Sequence, residues 1–119
     1  MSLRQNIVDE EVRIIFVYKD AIKNLTGHFS DLPNLVEVEL QKFPNNQLTN
    51  ISKIFKNSSS LKSVNISMLK AGTLIDTSQL FKDCISLETI YMTDFITSSV
   101  KDMSYMFSGC ENLTSIDFK

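Results

Sequence analysis

The chain has 119 residues, of which 43% are hydrophobic and 22% charged, and its formal net charge is -2. This size predicts a single domain over residues 1–119, and the balanced charge lacks the Lys and Arg excess with which proteins bind nucleic acid. No apolar run approaches the roughly 20 residues that cross a bilayer, and the opening residues lack the apolar stretch of a signal peptide. We therefore expect neither a nucleic-acid partner nor membrane insertion.

A repeat of 26 residues runs through the chain and is clearest in Phe29, Phe55, Phe81 and Phe107. The full repeats are residues 29–54, 55–80 and 81–106, with a divergent first unit at 1–28 and a partial repeat at 107–119, about four and a half units in all. The same step generates further apolar columns, among them Leu35, Leu61, Leu87 and Leu113; Val38, Val64, Ile90 and Ile116; and Leu40, Ile66, Met92 and Phe118.

The divergent first unit is assigned by stepping back 26 residues from the second unit. This step places Val12 in the column of Val38 and sets Arg13 in the position equivalent to Glu39. The remaining apolar residues assigned to the columns in this way are Ile14, Val17, Ile22 and Leu25.

Each unit then contains the motif L-x-x-[VI]-x-[LIMF], for which Leu87, Ile90 and Met92 are the example. Side chains of an extended segment alternate between two faces, so this spacing predicts a short β-strand with three inward side chains. One strand per unit is expected.

A second apolar stripe in each unit predicts a short helix after the strand. Its spacing of three, three, one and three residues matches one helical face, as in Val100, Met103, Met106, Phe107 and Cys110. The expected helix starts are a partial capping box at Ser99 and Asp102 and its equivalent at Thr73 and Asp76. Gly109 would suit the helix end.

One unit alone orders too many residues for the apolar surface that it buries, so the units are expected to be stable only as a stack. The sequence therefore predicts an α/β repeat: a right-handed, curved solenoid with a parallel sheet on the concave side and short helices on the convex side.

The segment from Val100 to Phe118, VKDMSYMFSGCENLTSIDF, resembles the repeat of BspA-like leucine-rich-repeat proteins, in which V-x-x-M-x-x-M-F-x-x-C-x-x-L-x-x-I/L-D-L recurs. LFKDCISLETIYM matches well, and the two preceding units are looser, with Ser58 and Leu32 at the cysteine position. The resemblance extends over roughly residues 17 to 119. It implies a leucine-rich-repeat fold and a secreted or cell-surface protein, in a family in which several members are implicated in adhesion.

Residues that could carry chemistry do not form a recognised catalytic motif. His28 falls in the apolar column of Ile54 and Leu80 and is interpreted as structural. The chain has no second histidine and only three glycines, and Glu37 and Glu39 have no base or metal-ligand partner in the sequence pattern. We expect no enzymatic activity, no cofactor and no metal.

The two cysteines, Cys84 and Cys110, are one repeat apart and are expected in adjacent units, with Ser58 at the equivalent place. A buried thiol column is favoured because cysteine is small and apolar. A disulfide would need Cα atoms within about 7 Å, and metal ligation would need further ligands.

Five asparagines are followed two positions later by Ser or Thr, which is the acceptor pattern for N-glycosylation on a eukaryotic secretory route. A composition rich in Asn, Ser and Thr would generate the same pattern. The positions are Asn24, Asn50, Asn57, Asn65 and Asn112.

The candidate binding residues are the outward positions at the centre of the strands: Arg13, Glu39, Asn65, Tyr91 and Asp117. Tyr91 is the residue type best suited to anchor a protein or glycan contact. The leading hypothesis is a non-enzymatic recognition or adhesion module. The alternatives are a structural spacer or fragment of a longer repeat protein, and an intracellular protein-interaction scaffold, since a cytoplasmic location fits the missing signal peptide.

The last predicted strand, Leu113 to Phe118, has inward side chains that are covered on one side only. Such an edge favours pairing with another strand. We expect self-association through this edge, or a chain that continues beyond it.

Overall fold

A computed structural model describes residues 12–17, 22–42, 47–67, 69, 72–93 and 95–117. Five β-strands form one sheet: β1 (Val12–Val17), β2 (Leu35–Lys42), β3 (Ser63–Asn65), β4 (Thr89–Tyr91) and β5 (Ser115–Asp117). All neighbouring strands are parallel, and their order in the sheet is the order in the chain. The predicted parallel sheet with one strand per unit is confirmed.

The sequence repeat sets the register of the sheet from β2 onwards. Val38 pairs with Val64, Val64 with Ile90, and Ile90 with Ile116, so each residue lies beside its equivalent in the next unit. When parallel strands of equivalent units pair without a shift, the side chains at equivalent positions lie next to each other. This is why one pattern of apolar positions, repeated, is enough to build a continuous core.

The inward columns of the strands are buried as the sequence predicts. Leu61, Leu87 and Ile90 have no exposed surface, and Leu113 and Ile116 in the last unit are partly buried. A second column consists of the repeat phenylalanines, whose rings stack with centroids 5.6, 5.5 and 5.8 Å apart along Phe29, Phe55, Phe81 and Phe107. The core is therefore a set of parallel columns that run through every unit.

The register of β1 differs from the prediction. Arg13 pairs with Glu37 and Ile14 with Val38, and the register shifts on either side of this stretch. The expected pair of Arg13 with Glu39 was wrong by two residues, and that of Val12 with Val38 was wrong by three, since Val12 pairs with Leu35. From Arg13 to Phe16 the register is shifted by two residues, which changes the facing residues but keeps the inward and outward alternation, and this is why the sequence step alone did not predict it.

The predicted helices are also wrong: within the described residues the segments after the strands are turns, not helices. We call the four stacked segments 24–31, 50–57, 76–83 and 102–109 the turn ladder. Lys53, Gln79 and Tyr105 occupy one left-handed position in it, with φ of 59°, 55° and 56°. The other left-handed position is occupied by Asp31, Asn57, Asp83 and Gly109. A right-handed helix cannot pass through these residues.

Hydrogen bonding explains why the backbone accepts this conformation. Within the turn ladder, alternate N–H groups donate to the next unit and not to a residue four positions back. Phe29 donates to Ile54, Phe55 to Leu80 and Phe81 to Met106, at 2.7, 3.1 and 2.9 Å. The turns therefore satisfy their backbone groups between units, as strands do.

Asparagine and aspartate open each segment of the turn ladder, but not as helix caps. The Oδ1 atoms of Asn50, Asp76 and Asp102 accept the N–H two residues later at 2.8, 2.9 and 2.9 Å, which is the geometry of an Asx turn. The Thr73 hydroxyl donates to the Leu48 carbonyl at 2.7 Å. The capping-box assignments at Ser99 and Thr73 were therefore wrong because there is no helix to cap.

No helix in the described part of the chain is long and apolar enough to cross a membrane.

Candidate functional site

Four of the five predicted binding residues lie in one row across the sheet. Glu39 pairs with Asn65, Asn65 with Tyr91, and Tyr91 with Asp117, each on the neighbouring strand. Adjacent strands are about 4.8 Å apart, so the row extends over about 14 Å. Its side chains alternate with the buried ones and are therefore on the face of the sheet away from the core.

Arg13, the fifth predicted residue, is not in this row. It faces Glu37, and its Nε lies 3.3 Å from Oε1 of Glu37, with both side chains at least half exposed. The place beside Glu39 is taken by Ile15, whose side chain is 60% exposed. We call Ile15, Glu39, Asn65, Tyr91 and Asp117 the sheet row. Sequence reasoning missed Ile15, although the complementary charges of Arg13 and Glu37 were a signal for the correct register.

The Asn65 side chain is oriented by its own strand end. Its Oδ1 accepts the N–H of Ser67 at 3.0 Å, and the Ser67 hydroxyl in turn accepts the N–H of Thr93 at 3.1 Å. These bonds assign the two ends of the amide, since only the oxygen can accept. The Nδ2 group, which bonds to nothing else among the described residues, remains as a donor toward a ligand.

Tyr91 is the aromatic residue of the sheet row, with 42% of its surface exposed although it lies on an inner strand. Its neighbours in the adjacent outward column, Ser63, Thr89 and Ser115, are small, so the ring is not covered from that side. An amphipathic ring held on a rigid sheet can contact a partner at a low cost in conformational entropy.

The side chains of the sheet row can form hydrogen bonds and apolar contacts. The row offers a carboxylate at Glu39, an oriented amide donor at Asn65 and an aromatic face at Tyr91. None of these three is a nucleophile paired with a base. Among the residues described, no group of three or more His, Cys, Asp or Glu side chains could hold a metal ion.

His28 lies at the first segment of the turn ladder, against the edge of the Phe29 ring, with centroids 4.7 Å apart and the planes at 86°. Partial burial lowers the pKa of His28. The aromatic contact agrees with the structural role expected from the sequence.

The cysteines form a hydrogen-bonded column with Ser58. The Ser58 hydroxyl donates to the carbonyl of Phe29 at 2.7 Å, and the thiols of Cys84 and Cys110 donate to Phe55 and Phe81 at 3.0 and 3.1 Å. Both cysteines are free thiols in the structure. Burial, with a smaller contribution from the neighbouring Cys110, raises the pKa of Cys84 to about 12. A thiol with so high a pKa is a poor nucleophile.

The Asx turns account for much of the Asn-x-Ser/Thr pattern. Asn24, Asn50 and Asn65 each accept a backbone N–H from the residue two positions later, which is Thr26, Ser52 or Ser67. Asp76 and Asp102 use the same geometry with Ser78 and Ser104. The pattern is therefore that of a structural turn, and glycosylation is not needed to explain it.

Comparison with known proteins gives one family. Residues 22–117 match the model described as "Mycoplasma protein of unknown function, DUF285". No curated protein and no solved structure matches the chain.

Proposed function

Because this chain belongs to the DUF285 family, whose members are described only as Mycoplasma proteins of unknown function, we propose its function from its own surface. The proposal is a non-enzymatic recognition or adhesion module that binds a protein or glycan through the sheet row. One observation carries it: strands in uniform register hold Glu39, Asn65, Tyr91 and Asp117 side by side on one face.

The finer fold assignment belongs to the same proposal. The sheet and turn ladder are those of a leucine-rich-repeat solenoid of the BspA-like type, with the sheet on the concave side. The 26-residue step and the single short strand per unit support it, and so does the cysteine column. The turn ladder takes the place of the convex helices.

Three features of the sheet row support a protein or glycan partner. Tyr91 supplies an exposed ring for stacking or for an apolar contact. Asn65 supplies a donor whose orientation is set by Ser67. Glu39 supplies a hydrogen-bond acceptor. Together with the Asn65 donor, it allows hydroxyl and amide groups of a ligand to be bound both as donors and as acceptors. Such a module would act outside the cell or at its surface, in keeping with the BspA-like resemblance.

The proposal is tested by screening the purified chain on a glycan array and against a random peptide display library. Any ligand found is then measured against Tyr91→Ala combined with Asn65→Asp. The aspartate keeps the oxygen that accepts from Ser67 but removes the amide donor, so the fold is retained. Affinity should fall by at least about tenfold, as expected for loss of an interface anchor, while the melting temperature changes little.

Ile75→Ala is the matched control, because Ile75 lies beside the turn ladder and is 43% exposed, against 42% for Tyr91. Binding should be unaffected by it. If no ligand emerges, or if Ile75→Ala weakens binding while the sheet-row pair does not, the proposed site is wrong.

A further inference from the structure

The two inner strands of the sheet, β3 and β4, present an outward surface that is polar but uncharged. Ser63 pairs with Thr89 and Asn65 with Tyr91, and on both strands these residues alternate with a buried one. Adjacent strands are about 4.8 Å apart, and residues two positions apart on a strand are separated by about 6.6 Å. The four Cα atoms therefore outline an area that one sugar ring can cover. We call Ser63, Asn65, Thr89 and Tyr91 the inner patch.

The polar groups of the inner patch are available to a ligand. Among the described residues, the hydroxyls of Ser63 and Thr89 take part in no hydrogen bond, and neither side chain is fully buried. The Asn65 amide is held by Ser67, which leaves its Nδ2 group as a donor. A hydroxyl both donates and accepts, whereas the amide Nδ2 only donates. The patch therefore suits a ligand that carries several hydroxyl groups close together.

Tyr91 gives the inner patch an apolar face. Its side chain is 42% exposed, and its partners in the patch are small or short. A pyranose ring has a face of C–H groups, which packs on the negative face of an aromatic ring. Asn65 lies beside Tyr91 on the next strand, and Thr89 lies two residues before it. A sugar stacked on Tyr91 thus brings its hydroxyls within reach of both residues.

The charges next to the inner patch disfavour an anionic ligand. Glu37 and Glu39 lie on β2, beside Ser63 and Asn65. The guanidinium of Arg13 is engaged with Glu37 at 3.3 Å, whereas Glu39 makes no ion pair within the described part of the chain. An acidic sugar would meet like charge at Glu39. A neutral sugar can instead donate a hydroxyl to this carboxylate in a charge-assisted hydrogen bond.

A protein ligand fits the inner patch less well than a sugar. The centres of protein interfaces are enriched in aromatic residues, methionine and arginine, and their anchors cluster in well-packed pockets. Tyr91 is the one aromatic residue of the sheet row, and the exposed apolar residue of that row, Ile15, is three strands away, about 14 Å. The ring is surrounded by hydroxyl and amide groups, which match the groups of a sugar.

We propose that the inner patch binds a neutral hexopyranose unit of a glycan. The sugar ring stacks on Tyr91, the Nδ2 group of Asn65 donates to one hydroxyl, and Glu39 accepts from the hydroxyl next to it. Adjacent strands are close enough for neighbouring hydroxyls of one ring to reach both side chains. This inference rests on the proposed function of the sheet row and specifies its ligand as a neutral glycan, in preference to a protein or an acidic glycan.

The test titrates the full chain with simple sugars and follows the backbone amides by heteronuclear NMR. The probes are the methyl glycosides of glucose, galactose, mannose and N-acetylglucosamine, each compared with its uronic acid counterpart. At least one neutral glycoside should bind, with a Kd on the order of 1 mM, and should shift the amide signals of Ser67 and Tyr91 most. At low salt its uronic acid counterpart should bind at least about tenfold more weakly, because Glu39 repels it.

Variants of Tyr91 distinguish ring stacking from a simple apolar contact. Tyr91→Phe keeps the ring and should change the affinity for the neutral glycoside by less than about threefold, whereas Tyr91→Leu keeps apolar bulk without a ring and should lose at least about tenfold. A Tyr91→Leu variant that binds the glycoside like the wild type would contradict the stacked arrangement.

The hydroxyl and the carboxylate are tested in the same way. Thr89→Val removes one hydroxyl but keeps a side chain suited to a strand, and it should weaken binding. Thr97→Val is the matched control, because Thr97 is exposed outside the sheet. Glu39→Gln should narrow the difference between neutral and acidic sugars. Glu111→Gln, which removes an exposed carboxylate far from β2 in the chain, should leave this difference unchanged.

Failure of this inference is distinguishable from failure of the proposed function. If no neutral glycoside binds, or if the uronic acids bind as tightly, the inference is wrong. The proposed function still stands in that case when a peptide from the display library binds the wild type and loses affinity in the Tyr91→Ala and Asn65→Asp double variant. Both are wrong when no ligand of either class depends on these two residues.

Discussion

The strands and the turn ladder both stack equivalent residues of adjacent units, but they do so with different backbone conformations. In both, a residue lies beside its equivalent 26 positions later, as Asn50 does beside Asp76 and Val64 beside Ile90. In the strands the chain is extended and side chains alternate. In the turn ladder left-handed residues such as Gln79 and Asp83 recur four residues apart. Hydrogen bonds between units hold both regions.

The difference teaches that burial and backbone conformation are separate properties of a repeat. Phe81 in the turn ladder and Leu87 before its strand are equally inaccessible. The spacing of apolar residues tells which side chains face inward in each region. The spacing of apolar residues also distinguishes an extended strand from other conformations. It does not distinguish a helix from a turn that is stabilised by hydrogen bonds to the next unit.

The first prediction is that the two regions are equally important for stability. Leu87→Asp and Phe81→Asp each bury an unpaired carboxylate where no surface is exposed, and each should lower the free energy of unfolding by about 4 kcal/mol or more. Urea denaturation followed by circular dichroism measures the loss.

Thr89→Asp is the control, because Thr89 faces outward on β4 and the change should cost less than about 1 kcal/mol. A Phe81→Asp variant that melts like Thr89→Asp would mean that the turn ladder is peripheral. The same outcome for Leu87→Asp would contradict the stacked core itself.

The second prediction concerns pH and the cysteine column, whose residues directly follow the segments of the turn ladder. Because the pKa of Cys84 is raised from 9.0 to about 12, the unfolded chain releases this proton at lower pH than the folded chain. Stability from the neutral thiol is fully present below about pH 9 and is lost between pH 9 and 12, by about 1.4 kcal/mol per pH unit.

Cys84→Ser provides the control, since Ser58 already makes the equivalent hydroxyl bond in the preceding unit. Chemical denaturation at pH 8 and at pH 10 should give a smaller drop in stability for this variant than for the wild type. Equal drops would mean that the thiol is not protected by burial.

The third prediction compares the effect on stability of glycine substitutions at two lysines of the turn ladder. Lys53 has a φ of 59°, and Lys56 is not among the left-handed residues. Lys53→Gly removes the strain of a left-handed lysine, about 1 kcal/mol. It also adds conformational entropy to the unfolded chain, which costs a similar amount. Stability should therefore stay equal or rise slightly. Lys56→Gly should lose about 1 kcal/mol.

Thermal melts of the two variants decide between turn and helix, because in a helix both changes would cost about 1 kcal/mol. Equal losses would restore the helical interpretation of this segment.

The sequence alone determined the repeat, the parallel sheet and the inward side chains. Leu61, Val64 and Phe55 are buried where their spacing predicts, because stacked units need the same polarity at the same position. It also brought Glu39, Asn65, Tyr91 and Asp117 into one row, since a constant step fixes the register of consecutive strands. Whether that row binds a partner stays a prediction.

Only the tertiary structure decided the backbone of the turn ladder and the register of β1. The N–H of Gln79 meets its acceptor at Ser104 in the next unit, and a contact so distant in sequence leaves no mark on the local apolar spacing, which fits a helix equally well. At β1 the irregularities beside Arg13 and Phe16 bring Ile15, not Arg13, next to Glu39. Both register choices keep the same alternation of positions along the strand, so only the pairing itself distinguishes them.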